Sequence, residues 1–451
     1  MSSLYLFDNF SIYSIIIEGW WTMKISFYTL GCKVNQYETN SMIEQCRSKE
    51  WDIVDFGELA DISIINTCTV TNMSDRKSRQ IISKAKKMNS NCIIVVTGCL
   101  AQTAKEDLEK IDNIDLIIGN EEKKNITKYV DEYLNKSKEV KKLSFVEDIK
   151  YVKEYSKDEI ATVYEKTRAV MKIQDGCNNF CTYCIIPYAR GRIRSKNFDD
   201  AINEAQKIVK NGYKEIVLTG IHICSYGVDL NNNLYLIDLL EKMNSIEGLK
   251  RIRLSSLEPN IITEEFLGRL VKLDKVCPHF HLSLQSGCDD TLKRMNRKYL
   301  TKDIEHIVNI IRKTYPDSNI TTDIIVGFPG ETDEDFNITK EFLEKIYLNK
   351  MHVFQYSRRK GTLAAQMINQ VDENTKHERS RKLIDISDKN EKKRLKEYIG
   401  RKLEILIENS GVIGFTDNYL KVQLDKKYTP NTFVNCEIEA VKDNILIGKG
   451  E

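Results

Sequence analysis

Apolar residues follow two different patterns along the chain, and these patterns divide it into segments. From residue 23 to about residue 369, short runs of β-branched residues alternate with longer stretches whose apolar positions recur at helical spacing. Strands that alternate with helices predict α/β structure with parallel sheets. After residue 401 the pattern changes to short strands separated by turn residues, as at Asn409-Ser-Gly. This change predicts a small all-β barrel at the end of the chain.

The α/β part is expected to form two units. The first, over residues 23–140, is an open α/β sheet with strands at 24–29, 62–66 and 92–97 and helices at 40–47 and 74–87. The stretch 141–165, rich in Lys, Glu and Asp, is expected to be a linker. The second unit, over 166–390, has six strand–helix repeats, with strands at 169–174, 215–219, 251–255, 279–284, 320–326 and 352–356. Residues 391–451 then form the terminal β domain.

Composition restricts the class of protein. A chain of 451 residues suggests about three domains, and 30% charged against 41% hydrophobic residues is an ordinary globular balance. A net charge of +2 excludes a globally basic nucleic-acid binder, so any RNA contact must use local patches. The apolar run at 12–21 is too short to span a bilayer and lacks the basic flank of a signal peptide. Residues 1–22 match no pattern, and we expect a non-native or disordered extension, with translation starting at Met23.

Twelve cysteines without a secretory signal favour reduced thiols, metal ligation and a cytoplasmic location. Three of them, Cys177, Cys181 and Cys184, are spaced C-x3-C-x2-C directly after the first strand of the second unit. Three thiolates from one loop can hold three irons of a cubane cluster and leave the fourth iron open to a small molecule. A zinc site or a ferredoxin cluster would use four protein ligands, and the next cysteine, Cys224, is forty residues further on.

Three further cysteines, Cys32, Cys68 and Cys99, each come shortly after a strand of the first unit. Ligands bind at the C-terminal edge of the strands in an open α/β sheet, so these residues are expected to converge there. Three converging thiolates again predict a cluster with one open iron, although each cysteine alone also fits a small buried residue. The other six cysteines have no neighbour at ligand spacing and are assigned to packing.

The loop Cys177-Asn-Asn-Phe-Cys181-Thr-Tyr-Cys184 resembles the signature of radical S-adenosylmethionine (SAM) enzymes. Together with Thr-Leu-Gly-Cys32-Lys-Val-Asn and Asn-Thr-Cys68-Thr-Val-Thr, it resembles the methylthiotransferase family of these enzymes. The resemblance implies a partial (β/α)6 barrel, and a C-terminal barrel similar to the RNA-binding TRAM domain. It also implies two 4Fe-4S clusters, one on Cys177, Cys181 and Cys184 and an auxiliary one on Cys32, Cys68 and Cys99. All six cysteines are accordingly candidates for catalysis.

The motifs around Cys32 and Cys68 resemble one branch of this family in particular. That branch, the MtaB type, methylthiolates N6-threonylcarbamoyladenosine at position 37 of transfer RNA. The resemblance then implies that SAM is split to a radical, that the auxiliary cluster supplies sulfur, and that a second SAM supplies the methyl group. It also implies an electron donor, whose identity the sequence does not give. By analogy, the residues expected to contact SAM are Tyr183, Thr219, Gly220, Ser283, Gln285, Gly327 and Phe354.

Three alternatives stay open at this point. The same chemistry can act on isopentenyladenosine in tRNA or on an aspartate of a ribosomal protein, and the chain can instead be a non-catalytic protein with two zinc sites that binds RNA. Basic residues near the predicted barrel mouth are candidate phosphate contacts, although each group also fits a solvated surface. They are Arg190, Arg192, Arg194, Lys293, Arg294, Arg297, Lys298, Arg358, Arg359 and Lys360.

Overall fold

The computed structural model describes residues 22–137, 141–156 and 167–451. The extension predicted for residues 1–22 therefore lies outside the described residues, apart from Thr22. Within the described ranges the chain forms three bodies, which are an N-terminal sheet, a central partial barrel and a C-terminal barrel. The predicted fold class is confirmed.

The N-terminal sheet has six strands, all parallel, in the order β2-β1-β3-β4-β5-β6. Its central strand β3 consists of isoleucines with Ser, Asn and Thr, and all six residues are buried because helices cover both faces of the sheet. The strands are β1 (Lys24–Thr29), β2 (Asp52–Val54), β3 (Ile62–Thr67), β4 (Ile93–Gly98), β5 (Leu116–Ile118) and β6 (Leu143–Phe145). Strand β6 lies in the stretch predicted to be a linker, and three residues are too few for a pattern to reveal it.

Five helices belong to this sheet: α1 (Lys33–Ser48), α2 (Asn72–Met88), α3 (Cys99–Thr103), α4 (Lys105–Glu109) and α5 (Ile126–Leu134). Helix α1 begins seven residues before the helix predicted at 40–47. Its first turns carry buried polar side chains, among them Asn35 and Glu38, so the apolar periodicity that marks a surface helix is absent there. These polar residues are buried because α1 packs against the central barrel as well as its own sheet.

The central barrel consists of six parallel strands and one short antiparallel strand, β8, which pairs with the end of the first barrel strand. Two hydrogen-bonded groups, β10-β9-β7-β8 and β11-β12-β13, are joined by single bridges such as Leu257 to Leu282. The strands are β7 (Arg168–Asp175), β8 (Arg194–Ser195), β9 (Glu215–Gly220), β10 (Arg251–Leu254), β11 (His279–Gln285), β12 (Asn319–Val326) and β13 (Lys350–Gln355).

Helices cover the outside of this barrel and bury their apolar faces in one large core. They are α7 (Phe198–Lys210), α8 (Leu236–Asn244), α9 (Glu264–Leu270), α10 (Asp289–Arg294), α11 (Thr301–Thr314), α12 (Asp333–Ile346) and α13 (Glu373–Lys396). The short helix α6 (Ile186–Arg190), which precedes them, packs instead against α3 of the N-terminal sheet. Helix α12 begins with a capping box in which Thr332 accepts from the Asp335 backbone N–H and Asp335 accepts in return. Helix α13 packs against β13 and leads into the last body.

The C-terminal body is a closed five-stranded barrel in the order β14-β15-β16-β18-β17. Its strands are β14 (Lys402–Ile407), β15 (Ile413–Phe415), β16 (Lys421–Leu424), β17 (Phe433–Lys442) and β18 (Ile445–Gly450). Alternate residues such as Val422 and Leu424 point into its apolar core. Across the described ranges, no helix is both long and apolar enough to cross a membrane.

Candidate active site

The central cysteine loop begins where β7 ends. Gly176 has φ of +70°, and a Cβ there would lie 1.8 Å from the Arg192 carbonyl oxygen, so only glycine fits this turn. The backbone N–H of Cys177 donates to the Gly191 carbonyl at 3.1 Å, and that of Cys184 donates to the Cys181 carbonyl at 2.9 Å. Phe180 takes the left-handed conformation with φ of +47°, which folds the three cysteines into one compact loop.

Residues that follow α10 hold this loop from the other side. Thr182 donates its backbone N–H to the Met295 carbonyl at 3.1 Å. The Asn296 amide donates to the carbonyls of Asn179 at 3.2 Å and Phe180 at 3.1 Å. The loop conformation is therefore fixed by side-chain and backbone contacts from a distant part of the barrel.

Arg297 connects this loop to the barrel mouth. Its Nη1 donates to Cys181 Sγ at 3.2 Å, and its Nη2 donates to Glu258 Oε1 at 2.6 Å and to the Ser283 carbonyl at 2.9 Å. The side chain is only 4% exposed, so the guanidinium is a fixed positive charge beside the thiols. Arg297 was predicted to contact RNA phosphate, and that prediction is wrong because its guanidinium is buried and already donates to groups of the protein.

The three N-terminal cysteines do converge. Cys32 caps α1, Cys68 directly follows β3, and Cys99 opens α3 after β4, and β1, β3 and β4 are neighbours in the sheet. A Cβ on Gly31 would lie 3.1 Å from Cys68 Sγ, so the first two loops are in contact. Burial raises the pKa of the Cys68 thiol, and the nearby Cys99 and Cys32 thiols raise it further, as expected for three neighbouring side chains.

Two asparagines from the cysteine motifs hold these loops in place. The Asn35 amide donates to the carbonyls of Leu30 at 2.7 Å and Thr67 at 2.9 Å, which ties the loop after β1 to the end of β3. The Asn66 amide donates to the Asn35 carbonyl at 2.9 Å and to Thr39 Oγ1 at 3.0 Å. Because both amides are buried, replacing either would leave carbonyl groups unsatisfied next to the cysteines.

Arg190 joins the two cysteine sites. It ends α6, which follows the central loop, and its side chain is 1% exposed. Its Nε donates to Cys99 Sγ at 3.3 Å, its Nη2 donates to Asn35 Oδ1 at 2.6 Å, and its Nη1 pairs with Glu38. One arginine of the barrel thus completes the surroundings of the N-terminal site.

Glu38 is the centre of a buried ionic network. It binds Lys123 at 2.6 Å and Lys172 at 3.0 Å in addition to Arg190. Burial opposes its ionisation, but Arg190, Lys123 and Lys172 together hold the pKa of Glu38 well below its usual range. The network draws on both bodies, since Glu38 and Lys123 belong to the N-terminal sheet and Lys172 to β7. Sequence reasoning missed it, because buried ion pairs leave no periodic signal.

The predicted SAM contacts lie at the C-terminal ends of the barrel strands. Tyr183 packs edge-on against Phe328, the residue after Gly327, with ring centres 6.4 Å apart. Gln285 has φ of +71° at a register shift that ends β11. Gly327, with φ of +69°, faces Lys376 of α13, and Phe354 is half exposed on β13.

Thr219 and Gly220, at the end of β9, line a cavity of about 680 Å³ together with Cys32. The cavity extends through the barrel lumen to Tyr419 of the C-terminal barrel, so all three bodies form its wall. Cys32 and Lys33 are exposed to this cavity although protein surrounds them. Burial and the nearby Arg168 and Arg253 lower the pKa of Lys33, against the opposing effect of Tyr419 and Glu215.

The predicted phosphate contacts divide into two groups. Arg190, Arg194 and Arg359 are buried in ion pairs or hydrogen bonds, so the prediction is wrong for them as it is for Arg297. Arg294 is half-buried and pairs with Asp335 at 2.9 Å. Those that remain exposed are Arg192, Lys293, Lys298, Arg358 and Lys360.

Comparison with known proteins decides the family. The model of the radical SAM superfamily matches residues 171–343, and that of an uncharacterized protein family, UPF0004, matches residues 24–119. The chain is 42% identical over 406 residues to the threonylcarbamoyladenosine tRNA methylthiotransferase MtaB of Bacillus subtilis, covering 88% of this chain and 89% of that one. The chain belongs to the radical SAM tRNA methylthiotransferases.

Other members of this family are similar over comparable lengths. MtaB of Aquifex aeolicus is 39% identical, covering 89% of this chain and 96% of the relative. The tRNA-2-methylthio-N(6)-dimethylallyladenosine synthase of a Thermoanaerobacter species is 36% identical, covering 93% and 88%. The fold is shared with the radical SAM methyltransferase TsrM of Kitasatospora setae, with a TM-score of 0.57, 12% identity, and coverage of 76% and 77%. The chain is therefore an enzyme, and the non-catalytic zinc alternative is set aside.

The cofactors of the family, SAM and 4Fe-4S clusters, fit the donor groups present here. Burial raises the pKa of Cys177 to about 11 and that of Cys184 to about 12, and it also raises the pKa of Cys32 and Cys68. Buried thiols of this kind become thiolates when a cationic metal centre binds. In the described ranges, no group of three or more His, Cys, Asp or Glu side chains is spaced to hold a single metal ion.

Proposed function

We propose that this enzyme methylthiolates C2 of N6-threonylcarbamoyladenosine at position 37 of tRNA, giving 2-methylthio-N6-threonylcarbamoyladenosine. One observation carries the choice of substrate. The relatives named for threonylcarbamoyladenosine in Bacillus subtilis and Aquifex aeolicus are 42% and 39% identical to this chain, against 36% to 38% for relatives named as dimethylallyladenosine synthases. The residues around Cys32 and Cys68 support the same branch.

We assign the two cysteine groups to two clusters. Cys177, Cys181 and Cys184 hold the cluster that binds SAM, because they lie in one loop at the C-terminal end of the barrel strands, where barrel chemistry takes place. Cys32, Cys68 and Cys99 hold the auxiliary cluster. The support for this second assignment is their convergence at one sheet edge and the exposure of Cys32 to the cavity shared with Thr219 and Gly220.

The reaction explains why cofactors are needed. The C2–H bond of adenine offers neither an acidic proton nor a leaving group, so side-chain acids and bases cannot activate it. When bound, SAM and the clusters supply the radical, the sulfur and the methyl group, while the protein positions them. Two of the SAM contacts proposed here, Thr219 and Gly220, line the same cavity as Cys32, and we propose that this cavity receives the adenosine.

The chain's own side chains hold this arrangement. Arg297 donates to Cys181 Sγ and Arg190 donates to Cys99 Sγ, so each thiolate group has one fixed cationic donor. The cavity walls come from three bodies, which shield a bound base from bulk water. The substrate tRNA would bind outside, through the exposed residues Arg192, Lys293, Lys298, Arg358 and Lys360 and the C-terminal barrel. A tRNA substrate also agrees with the predicted cytoplasmic location.

The decisive experiment is nucleoside mass analysis of total tRNA from cells with and without the gene. Loss of 2-methylthio-N6-threonylcarbamoyladenosine, with accumulation of its precursor, is the expected result. Loss of the methylthiolated isopentenyladenosine instead would support the proposed methylthiolation reaction but contradict the proposed substrate. If neither nucleoside changes, tRNA position 37 is not the target of this enzyme.

A further inference from the structure

The cavity between the three bodies carries an excess of positive charge. Its lining residues include five lysine or arginine side chains, namely Lys33, Arg253, Lys350, Arg394 and Lys421. Among the described lining residues, the one carboxylate is that of Glu391. A cavity of this kind favours an anionic group over an apolar one.

Three of the five cations of the cavity already have a partner. Arg253 donates to Glu215 Oε1 at 2.7 Å and to the Asp417 carbonyl at 2.7 Å. Lys350 pairs with Glu391 at 2.7 Å. Arg394 donates to the Tyr398 hydroxyl at 2.8 Å. Their donors and charges are therefore largely used within the protein.

Lys33 is different. It directly follows Cys32, and within the described part of the chain its ammonium group has neither an ion pair nor a hydrogen bond. Arg168, Arg253, Tyr419 and Glu215 surround it. Arg168 pairs with Glu408 at 3.0 Å and Arg253 pairs with Glu215, so the positive charge of Lys33 is left without a counter-charge in the cavity.

We propose that Lys33 selects the substrate by pairing its ammonium group with the carboxylate of the threonylcarbamoyl side chain. The inference rests on the proposed function. Threonine joined through its amino group to a carbamoyl keeps a free carboxylate, which is ionised at neutral pH. A dimethylallyl chain has no charged or polar atom, so it would displace water from Lys33 and leave the ammonium group unpaired. The free charge of Lys33 thus favours one modified adenosine and disfavours the other.

The first test needs no variant. An anticodon stem-loop RNA carries either N6-threonylcarbamoyladenosine as the free acid or its primary carboxamide, which keeps the size and loses the charge. Equilibrium binding to the anaerobically reconstituted enzyme, without reductant, is measured for both RNAs. We expect the acid to bind at least about 30-fold more tightly, the lower range for a hydrogen-bonded charge pair that loses one partner.

Variants then locate the effect. Lys33→Gln should bind acid and carboxamide equally, and Lys33→Arg should restore part of the preference. Lys350→Gln is the matched control, because it removes a cation of the same cavity that Glu391 already neutralises, and it should keep the preference of the wild type. Iron content and the melting temperature check that Lys33→Gln retains its clusters and fold.

The outcomes separate the two proposals. If the wild type binds acid and carboxamide equally, or if Lys33→Gln keeps the full preference, Lys33 does not bind the carboxylate and this inference is wrong. Methylthiolation of the stem-loop that carries the acid would still support the proposed substrate. If the reduced enzyme instead methylthiolates only a stem-loop with dimethylallyladenosine, the proposed substrate fails and this inference fails with it.

Discussion

The two cysteine sites contain the same number of thiols but are built in opposite ways. Cys177, Cys181 and Cys184 lie in one loop, where the turn at Gly176 and the left-handed Phe180 bring them together. Cys32, Cys68 and Cys99 come from three loops and meet because β1, β3 and β4 are adjacent and parallel. The cysteines of the first site are brought together by their spacing within one loop, which contacts from after α10 then hold in place, whereas those of the second site meet only when the sheet has formed.

Both sites nevertheless use an arginine from outside their own segment. Arg297 reaches Cys181 Sγ at 3.2 Å, and Arg190 reaches Cys99 Sγ at 3.3 Å. Arg190 belongs to the short helix after the central loop, so the barrel supplies a donor to the N-terminal site. The assembled site therefore depends on the docking of two bodies, and the local site does not.

The largest expected effect comes from the local site. Replacing Cys177, Cys181 or Cys184 by Ala should abolish SAM cleavage, because the iron that binds SAM loses its supporting cluster. Release of 5′-deoxyadenosine by the anaerobically reconstituted enzyme measures this. Cys92→Ala, a buried thiol assigned to packing, is the control and should retain cleavage. Normal cleavage by Cys181→Ala would contradict the assignment.

The assembled site should behave differently. Cys32→Ala should keep some SAM cleavage but form no methylthiolated tRNA, because the sulfur donor is lost while the SAM site remains. The iron content should fall by about half, as expected for loss of one of two equal clusters. Product formation by Cys32→Ala would show that these cysteines do not provide the sulfur.

Arg190→Gln tests the link between the bodies. Removing one partner of a buried ion pair costs about 3–5 kcal/mol, so the free energy of unfolding should fall by that order. The N-terminal site should lose iron before the central loop does. Lys49→Ala is the matched control, because its pair with Asp131 is 49% and 40% exposed and is worth less than about 1 kcal/mol. Equal effects of both variants in denaturant unfolding would mean that the buried network does not hold the bodies together.

The smallest effect concerns pH at the local site. His222 contacts Asn179 of the central loop at 3.4 Å, and burial, with Arg297 nearby, lowers its pKa to about 4 from the ordinary 6.5. The unfolded chain then binds a proton more readily than the folded one, so stability falls as pH drops from 6.5 toward 4, by about 3 kcal/mol at most. The Glu258 carboxylate lies 3.8 Å away but pairs with Arg297, which agrees with a neutral imidazole.

The unfolding free energies of wild type and His222→Gln, compared across this range, measure that contribution. The variant lacks the titrating group, so the difference between the two curves should be constant above pH 7 and should change below pH 6.5, where the wild type alone loses this stability. Curves that stay parallel down to pH 4 would show that His222 is not held neutral in the folded protein.

The elements with a clear pattern were predictable from the sequence. Strand β1 has the bounds predicted for it, and the barrel strands differ from prediction by two residues or fewer at each end. Three-residue strands such as β5, β6 and β15 were missed, because so short a segment carries no periodicity. The beginning of α1 was missed because its buried polar residues face the barrel, so tertiary packing determines their environment.

The sequence by itself determined the two cysteine groups, the order of strands and helices, and the resemblance that pointed to the family. These features depend on local spacing and on periodicity, which any stretch of chain displays. Only the tertiary structure decided that Arg190 and Arg297 contact the thiols rather than RNA. It also decided that Lys33 lines a cavity shared by three bodies and has no ion-pair partner among the described residues. The physical reason is that the partner of a charge is set by what folds against it, and that partner has no fixed distance along the chain.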